Sequence, residues 1–547
     1  LTAFETFYEE KRPFFLEAKS IFKYEFDDLN LFYSRRIGHS PSYSIPSSDS
    51  LFTQSPGRTT ILSALKISGK TSKGLSVGLL QSITAPEHTE IINSEGLQSK
   101  QTIEPLTNYM VARVQKDYQE GTTMIGGILT SANRFINVPE LEFLSKDALT
   151  GGIDLLHQWK KKKYYFDARL VGSYVQGDIQ AIARLQESSA RYFQRPDASY
   201  LGYDTTRNIL NGMGGRAKIG KGAGHWRYSA GVSWFSPGLE LNDLGYMQMA
   251  DLIKQENELS YLSSQPVSIF RTINGKLQQF NFLNFNGKYL GSGGKLLVSS
   301  EFVNKWASTI IIIWDSQSLD TRLLRGGYDI KVPSQLSMAG EFRTDYSRPV
   351  CPSISINFLR GSDNYAQRFN VTPGLTVRPV NTLRLGISAG YGENRDQLQY
   401  VNMLKNGTGN KYILGTIDQQ TFGLTFRADY SINPEFSIQY YGSPFVSRGS
   451  YSDYKEVVNP LAGKYKDRFA PFSDEISNPD FNFHQFRSNM VLKWEFRPGS
   501  FAYLVWSDDR TRFANPVNSD IPESMKQMWN ISPSNLFLLK INYWFSI

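Results

Sequence analysis

Residues 535–547 read NLFLLKINYWFSI, an apolar comb at the very end of a chain whose mean hydropathy is −0.36. Leu539, Ile541, Tyr543, Phe545 and Ile547 fall on one face at a period of two, and Leu538, Lys540, Asn542, Trp544 and Ser546 on the other. Period two is the signature of a strand, whose successive side chains point to opposite faces. A terminus is where fraying is easiest, so a strand this regular needs a partner on its free side.

The same pattern recurs upstream. QFRSNMVLKWEF (485–496) sets Phe486, Met490, Leu492, Trp494 and Phe496 against Arg487, Asn489, Lys493 and Glu495. QTFGLTFRADY (420–430), LRLGISAGY (383–391) and GLSVGLLQSIT (74–84) repeat it. A soluble sheet packed on one side gives such alternation, and so does a membrane barrel with lipid outside and a polar lumen. Many runs last about 9–12 residues, close to the length of a tilted membrane-crossing strand and about twice a typical soluble one.

Connections alternate between short and long. Tight links are read at Lys70–Gly74, Tyr118–Thr122, Lys160–Lys163, Lys221–Trp226, Ser268–Arg271, Val303–Trp306, Tyr346–Pro349, Arg378–Thr382, Asn433–Glu435 and Arg497–Ser500. Long polar loops are read at 175–212, 237–265, 392–418, 444–480 and 511–533. Short periplasmic turns with long outer loops characterise outer-membrane barrels of Gram-negative bacteria. The expected fold is therefore all-β: an antiparallel transmembrane outer-membrane β-barrel of about 22 strands, range 18–24, over residues 28–547, with both termini periplasmic. Its first strand is expected near 28–37. The terminal comb would then be the seam, and Tyr543, Phe545 and Ile547 the signal read by the barrel-assembly machinery.

Composition narrows the function. Charged residues make up 20% and aromatics 14%, with 30 Tyr, 35 Phe and 44 Gly. The charge of +8 is a small excess of 59 cations over 51 anions, with no basic stripe, so nucleic acid is not an expected partner. One cysteine, Cys351, and five scattered histidines offer neither disulfide nor metal spacing, and no cofactor is expected. The run Ile310–Trp314 is far short of the roughly 18 residues of a spanning helix. No signal peptide opens the chain and Leu1 is no initiator, so a mature or N-terminally incomplete product is expected.

EKRPFFLEAKSIF (10–22), LFYSRRIG (31–38), TTILSALKISGKT (59–71), EPLTNYMVARVQKDY (104–118), RYFQRPDASY (191–200), SPGLELNDLGY (236–246) and RLLRGG (322–327) together resemble the family named domain of unknown function 5916. The resemblance spans nearly the whole chain. The family often has Gly where Ala18 stands, and Pro where Tyr328 stands. It implies a Gram-negative outer-membrane protein, commonly preceded by a periplasmic domain similar to carbohydrate-binding module family nine. It lends no established activity.

Candidate residues follow from the pattern. Arg113, Gln115, Asp117, Arg427, Asp429, Lys493 and Glu495 lie on polar faces and are expected to line the lumen, as selectivity groups or as a salt-bridged seal. Residues 1–27, with Phe14, Phe15 and Leu16, are expected to form a plug in or under the lumen, or else a linker. Loop 237–265 is expected to be partly helical after Asn242 or Asp243, with Tyr246, Met249, Ala250 and Ile253 as a partner-docking stripe or a lid. Gly386–Gly390 matches GxSxG but sits in an alternating run, without the strand–turn–helix setting a nucleophile needs. The function these features favour is a non-enzymatic barrel, platform or accessory subunit of an outer-membrane complex and anchor for a periplasmic carbohydrate-binding-like domain. A channel or gated transporter for oligosaccharides or small solutes is the alternative, and a membrane-embedded hydrolase a distant third. Expected partners are outer-membrane lipids and lipopolysaccharide, the insertion machinery, and other outer-membrane proteins or lipoproteins.

Overall fold

A computed structural model describes residues 7–46, 48, 51–407, 409–514 and 520–545. Ile547 and residues 1–6 of the expected plug lie outside them. Twenty-two strands join in one antiparallel sheet, as the sequence suggested. No described helix is long and apolar enough to cross a membrane, which says nothing about crossing by strands. The chain divides into two compact units: residues 1–259, 280–291 and 324–329, and residues 260–279, 292–323 and 330–547.

In the first unit, Ile61–Lys70, Leu75–Thr84, Leu106–Tyr118, Thr123–Phe135, Ser145–Trp159, Tyr164–Gly177, Ile209–Lys221 and Trp226–Phe235 pair in succession. Alternation does what the sequence implied. Thr107, Tyr109, Val111 and Arg113 are buried on one face of Leu106–Tyr118, while Val77, Leu79, Val114, Ile125, Leu129 and Ile153 are exposed on the other. In the connection 85–105, Glu87–Asn93 and Gln98–Glu104 pair, and Leu51–Gln54 from ahead of the first long strand joins them in a small separate sheet. At the tight turn after Trp159, Lys160, Lys161 and Lys162 all adopt positive φ, a conformation L-residues disfavour.

The N-terminal segment differs from its expected form. No sheet strand occupies 28–37; there the chain makes a two-residue pairing, Glu25–Phe26 with Leu29–Asn30, and a 3-10 turn at Ser34–Arg36. The first long strand begins at Ile61, so the segment preceding the sheet runs far beyond residue 27. The twenty-second strand is instead the short Phe469–Pro471, paired with Lys455–Val457. Residues 237–251 hold turns and no helix; Asn242 accepts from the Met247 amide at 2.9 Å, satisfying the backbone locally instead of capping a helix.

The second unit carries the longest strands. Leu383–Asn406, Gly409–Ser431 and Phe436–Val457 have 24, 23 and 22 residues. Expected loops 392–418 and 444–480 are thus largely hairpin, because their polar residues still pair across strands. Within 511–533, strand continues to Ala514, and Asp520 caps a helix, Ile521–Met528, accepting from the Glu523 amide at 2.9 Å. The final strand, Ser534–Asn542, pairs with Phe501–Asp509 and exposes Phe537, Leu539 and Ile541 on one face.

Candidate functional site

The buried side chains of the first unit gather into one cluster on the polar face of its strands, and the N-terminal segment supplies the centre. Phe22, Tyr24, Phe26, Leu29, Leu31 and Ile37 are buried there with Leu80, Tyr109, Val111, Ile128, Val171 and Val175. Phe26 stacks on Phe235 with ring centroids 5.9 Å apart. Glycines on the strands admit the segment. A Cβ on Gly78 would lie 2.8 Å from Ile21, and one on Gly152 would lie 2.9 Å from both Leu31 and Tyr24. Larger residues at these positions would leave no room for the rings.

Polar contacts fix the register. The Tyr24 hydroxyl lies 2.8 Å from both the Ile153 and the Leu170 carbonyl and shares its one hydrogen between them, reaching strand backbone that still has a free lone pair. Around it, Arg113 grips both oxygens of Asp154, at 2.5 and 3.0 Å, in the bidentate geometry that suits guanidinium. Gln115 bridges onward, accepting from Arg113 at 3.2 Å and donating to Asp117 at 3.1 Å, and Lys70 pairs with Asp117 at 2.5 Å. Arg169 and Arg216 share Asp167, Arg169 donates to the Glu25 carbonyl, and Lys254 pairs with Asp27 at 3.3 Å. Apolar rings and a charge ladder therefore hold the segment at once.

Upstream, Glu10 is the hub of a knot. It accepts from Arg12 Nε at 2.9 Å, Arg12 Nη2 at 2.7 Å and the Ser34 hydroxyl at 2.6 Å. Arg12 also donates to the Ser34 and Ile37 carbonyls at 2.7 Å each. Burial pushes the Glu10 carboxyl up, but the hydrogen bonds from Arg12 and Ser34 outweigh it and hold the carboxyl down at about 2. On the other side, the turns of 236–251 close over the segment: Tyr33 donates to the Leu244 carbonyl at 2.8 Å, and Asn30 and Tyr246 exchange backbone bonds.

The residues singled out from sequence divide accordingly. Arg113, Gln115 and Asp117 join the ladder under the segment. Phe15 is buried beneath Arg12, whose guanidinium lies 4.3 Å from the ring; Phe14 is partly buried beside Lys66, and Leu16 is exposed. Tyr246 is buried against Phe7 and Tyr33, Met249 is half-buried in irregular chain, and Ile253 is half-buried in the strand Leu252–Ser263 that takes up the second half of the expected loop, so the stripe is no helical docking face. In the second unit, Arg427 and Asp429 are exposed; Lys493 and Glu495 are half-buried, Lys493 lying 4.4 Å over Phe501 and Glu495 accepting from the Gly499 amide at 2.9 Å. The Tyr543 and Phe545 rings lie 4.6 Å apart, tilted by 50°. Gly386–Gly390 lies inside the strand Leu383–Asn406, away from any strand–helix turn. Among the described residues no cluster of His, Cys, Asp or Glu could hold a metal.

The sequence reading missed Phe22, Tyr24, Phe26, Leu29 and Leu31. Their signal was present: FKYEF (22–26) alternates as a strand does, and the polar-face glycines mark where something approaches closely.

These features define a class: an all-β protein of long antiparallel strands, one face apolar and exposed, the other covered in part by the chain's own N-terminal segment. More particularly, the chain belongs to the family described as domain of unknown function (DUF5916), whose model matches residues 1–547. No curated protein matches it. Among solved structures it is similar to the alcaligin outer-membrane receptor FauA from Bordetella pertussis, with 8% identity over 88% of this chain and 78% of that one. The TM-score is 0.33, too low to build on.

Proposed function

We propose that the sheet closes into an outer-membrane β-barrel of a Gram-negative bacterium, obstructed by its N-terminal segment, and that it works as a non-enzymatic platform. In this reading it is an accessory subunit of a larger outer-membrane complex and the anchor for a periplasmic carbohydrate-binding-like domain. Strands of 10 to 15 residues in the first unit suffice to cross a bilayer. Their exposed apolar face and the short and long connections at alternate ends support the same reading. The observation that carries it is the docking of residues 14–37 by a continuous core together with the ladder around Arg113–Asp154. An obstruction held by both kinds of contact favours a platform over an open pore.

The alternative is a gated transporter for oligosaccharides or small solutes, in which the segment moves. The specific observation favouring it is that much of the ladder is charged, because ion pairs can exchange partners where close-packed rings cannot. Two measurements separate the readings. Purification of the full-length protein in gentle detergent, with mass spectrometry of its companions, is expected to give stoichiometric partners; isolation alone would sink the platform. Deleting residues 1–38 is expected to raise outer-membrane permeability to bulky antibiotics. Unchanged permeability would remove the obstruction from both readings.

A further inference from the structure

Beside the covered face, the first unit holds a cavity of about 660 Å³ that no part of the platform reading uses. Its size suits a small-molecule site. Its walls come from the N-terminal segment at Arg36, His39 and Ser42, the strand ends at Arg134 and Ser145, the 178–208 connection at Arg184 and Ser188, and the turns near Asp243. The walls are pinned from behind. Glu104, 1% exposed, accepts from the Ser42 amide at 2.6 Å and faces His39 at 3.5 Å. Fully buried Arg191 ties the Leu185 and Leu239 carbonyls together at 2.8 and 2.7 Å.

Charge is unevenly spent inside it. The two acids of the lining are already taken: Asp243 by Arg134 at 2.5 Å and by the Ser145 hydroxyl, and Glu240 by Arg191 at 2.7 Å. Arg184 has no carboxylate partner among the described residues, and its guanidinium lies 4.5 Å over the Phe143 ring, which fixes its plane. Arg134, 9% exposed, is held in the wall by Asp243 and the Ser145 hydroxyl.

We propose that this cavity binds a small polar solute bearing an oxyanion, its acid group taken by the planar guanidinium of Arg184. Guanidinium pairs with carboxylate and phosphate in the same forked manner, so either acid fits. The site stands independently of whether the protein is a platform or a transporter. The test is isothermal titration calorimetry of the full chain in detergent at low salt, with glucuronate, glucose 6-phosphate and glucose as probes. Saturable binding of at least one acid, with glucose silent, is the expected result, and which acid binds tells the two oxyanions apart. Arg184→Ala, a change at an exposed position, is expected to weaken binding about tenfold or more, and Arg184→Lys by less. Silence of both acids, equal binding of glucose, or an Arg184→Ala variant as tight as the parent would each overturn the proposal.

Discussion

The two units use the same kind of strand to opposite ends. In the first, the polar face lies under a lid of Phe22, Tyr24, Phe26 and Leu31, and Arg113 on that face is 3% exposed. In the second, Arg427 and Asp429 occupy equivalent alternating positions and are exposed. Its buried apolar residues, such as Ile413, Leu414 and Val446, sit instead on the far halves of the three longest strands. Identical alternation thus makes a packing surface in one place and a wetted one in another. What differs is whether a second layer of chain, here the N-terminal segment, lies on the polar face.

The strongest way to break that contrast is to dislodge the second layer. Gly152→Leu drives a side chain into Tyr24 and Leu31, and tryptic cleavage at Lys19 or Lys23 in the native protein is expected to accelerate more than about tenfold. Gly386→Leu, where a Cβ meets only Arg427 at 4.0 Å, should leave cleavage unchanged. Asp154→Asn strands the buried Arg113 and is expected to cost about 3–5 kcal/mol in detergent unfolding. Asp429→Asn, exposed, should stay within about 0.5 kcal/mol. Phe26→Ala removes a buried ring and should cost about 3–4 kcal/mol, read from the same unfolding curves.

A smaller effect is expected from pH. The Glu10 carboxyl is depressed in the folded state, so its contribution is complete above the ordinary carboxylate value of about 4.5 and is lost as pH falls toward 2. At about 1.4 kcal/mol per pH unit that contribution is at most about 3 kcal/mol, and solvent screening makes it smaller. Hydrogen exchange of residues 10–37 should therefore rise across that window, and Glu10→Gln should flatten the dependence. A rise that persisted in the variant would place the titrating group elsewhere.

Much of this was legible in the residues. Nine of the ten tight turns fall where Gly, Pro, Asn or charged clusters placed them; at the tenth, expected at Ser268–Arg271, Val267 and Phe270 close the turn one residue earlier. Period-two patterning sorted the faces because burial on one side repeats at every second residue. The second layer was not legible. FKYEF resembles a strand locally, and only contacts some 130 residues away turn it into a lid. The expected helix after Asn242 failed for a similar reason. Tyr246, Met249, Ala250 and Ile253 have helical spacing, yet Tyr246 exchanges backbone bonds with Asn30, the Leu244 carbonyl accepts from the Tyr33 amide, and the Ala250 amide donates to the Ala190 carbonyl. The polar stretches 392–418 and 444–480 carry no hydrophobic alternation, yet cross-strand pairing extends the hairpins through most of them.

The bond from Tyr24 to the Leu170 carbonyl joins residues 146 apart in sequence. During synthesis the segment appears before the strands it packs on, yet its acceptors exist only after Tyr164–Gly177 has paired with its neighbours. Closing so long a loop gains nothing until the strands are in place. A stretch made before its strands is therefore among the last parts of this unit to find its place.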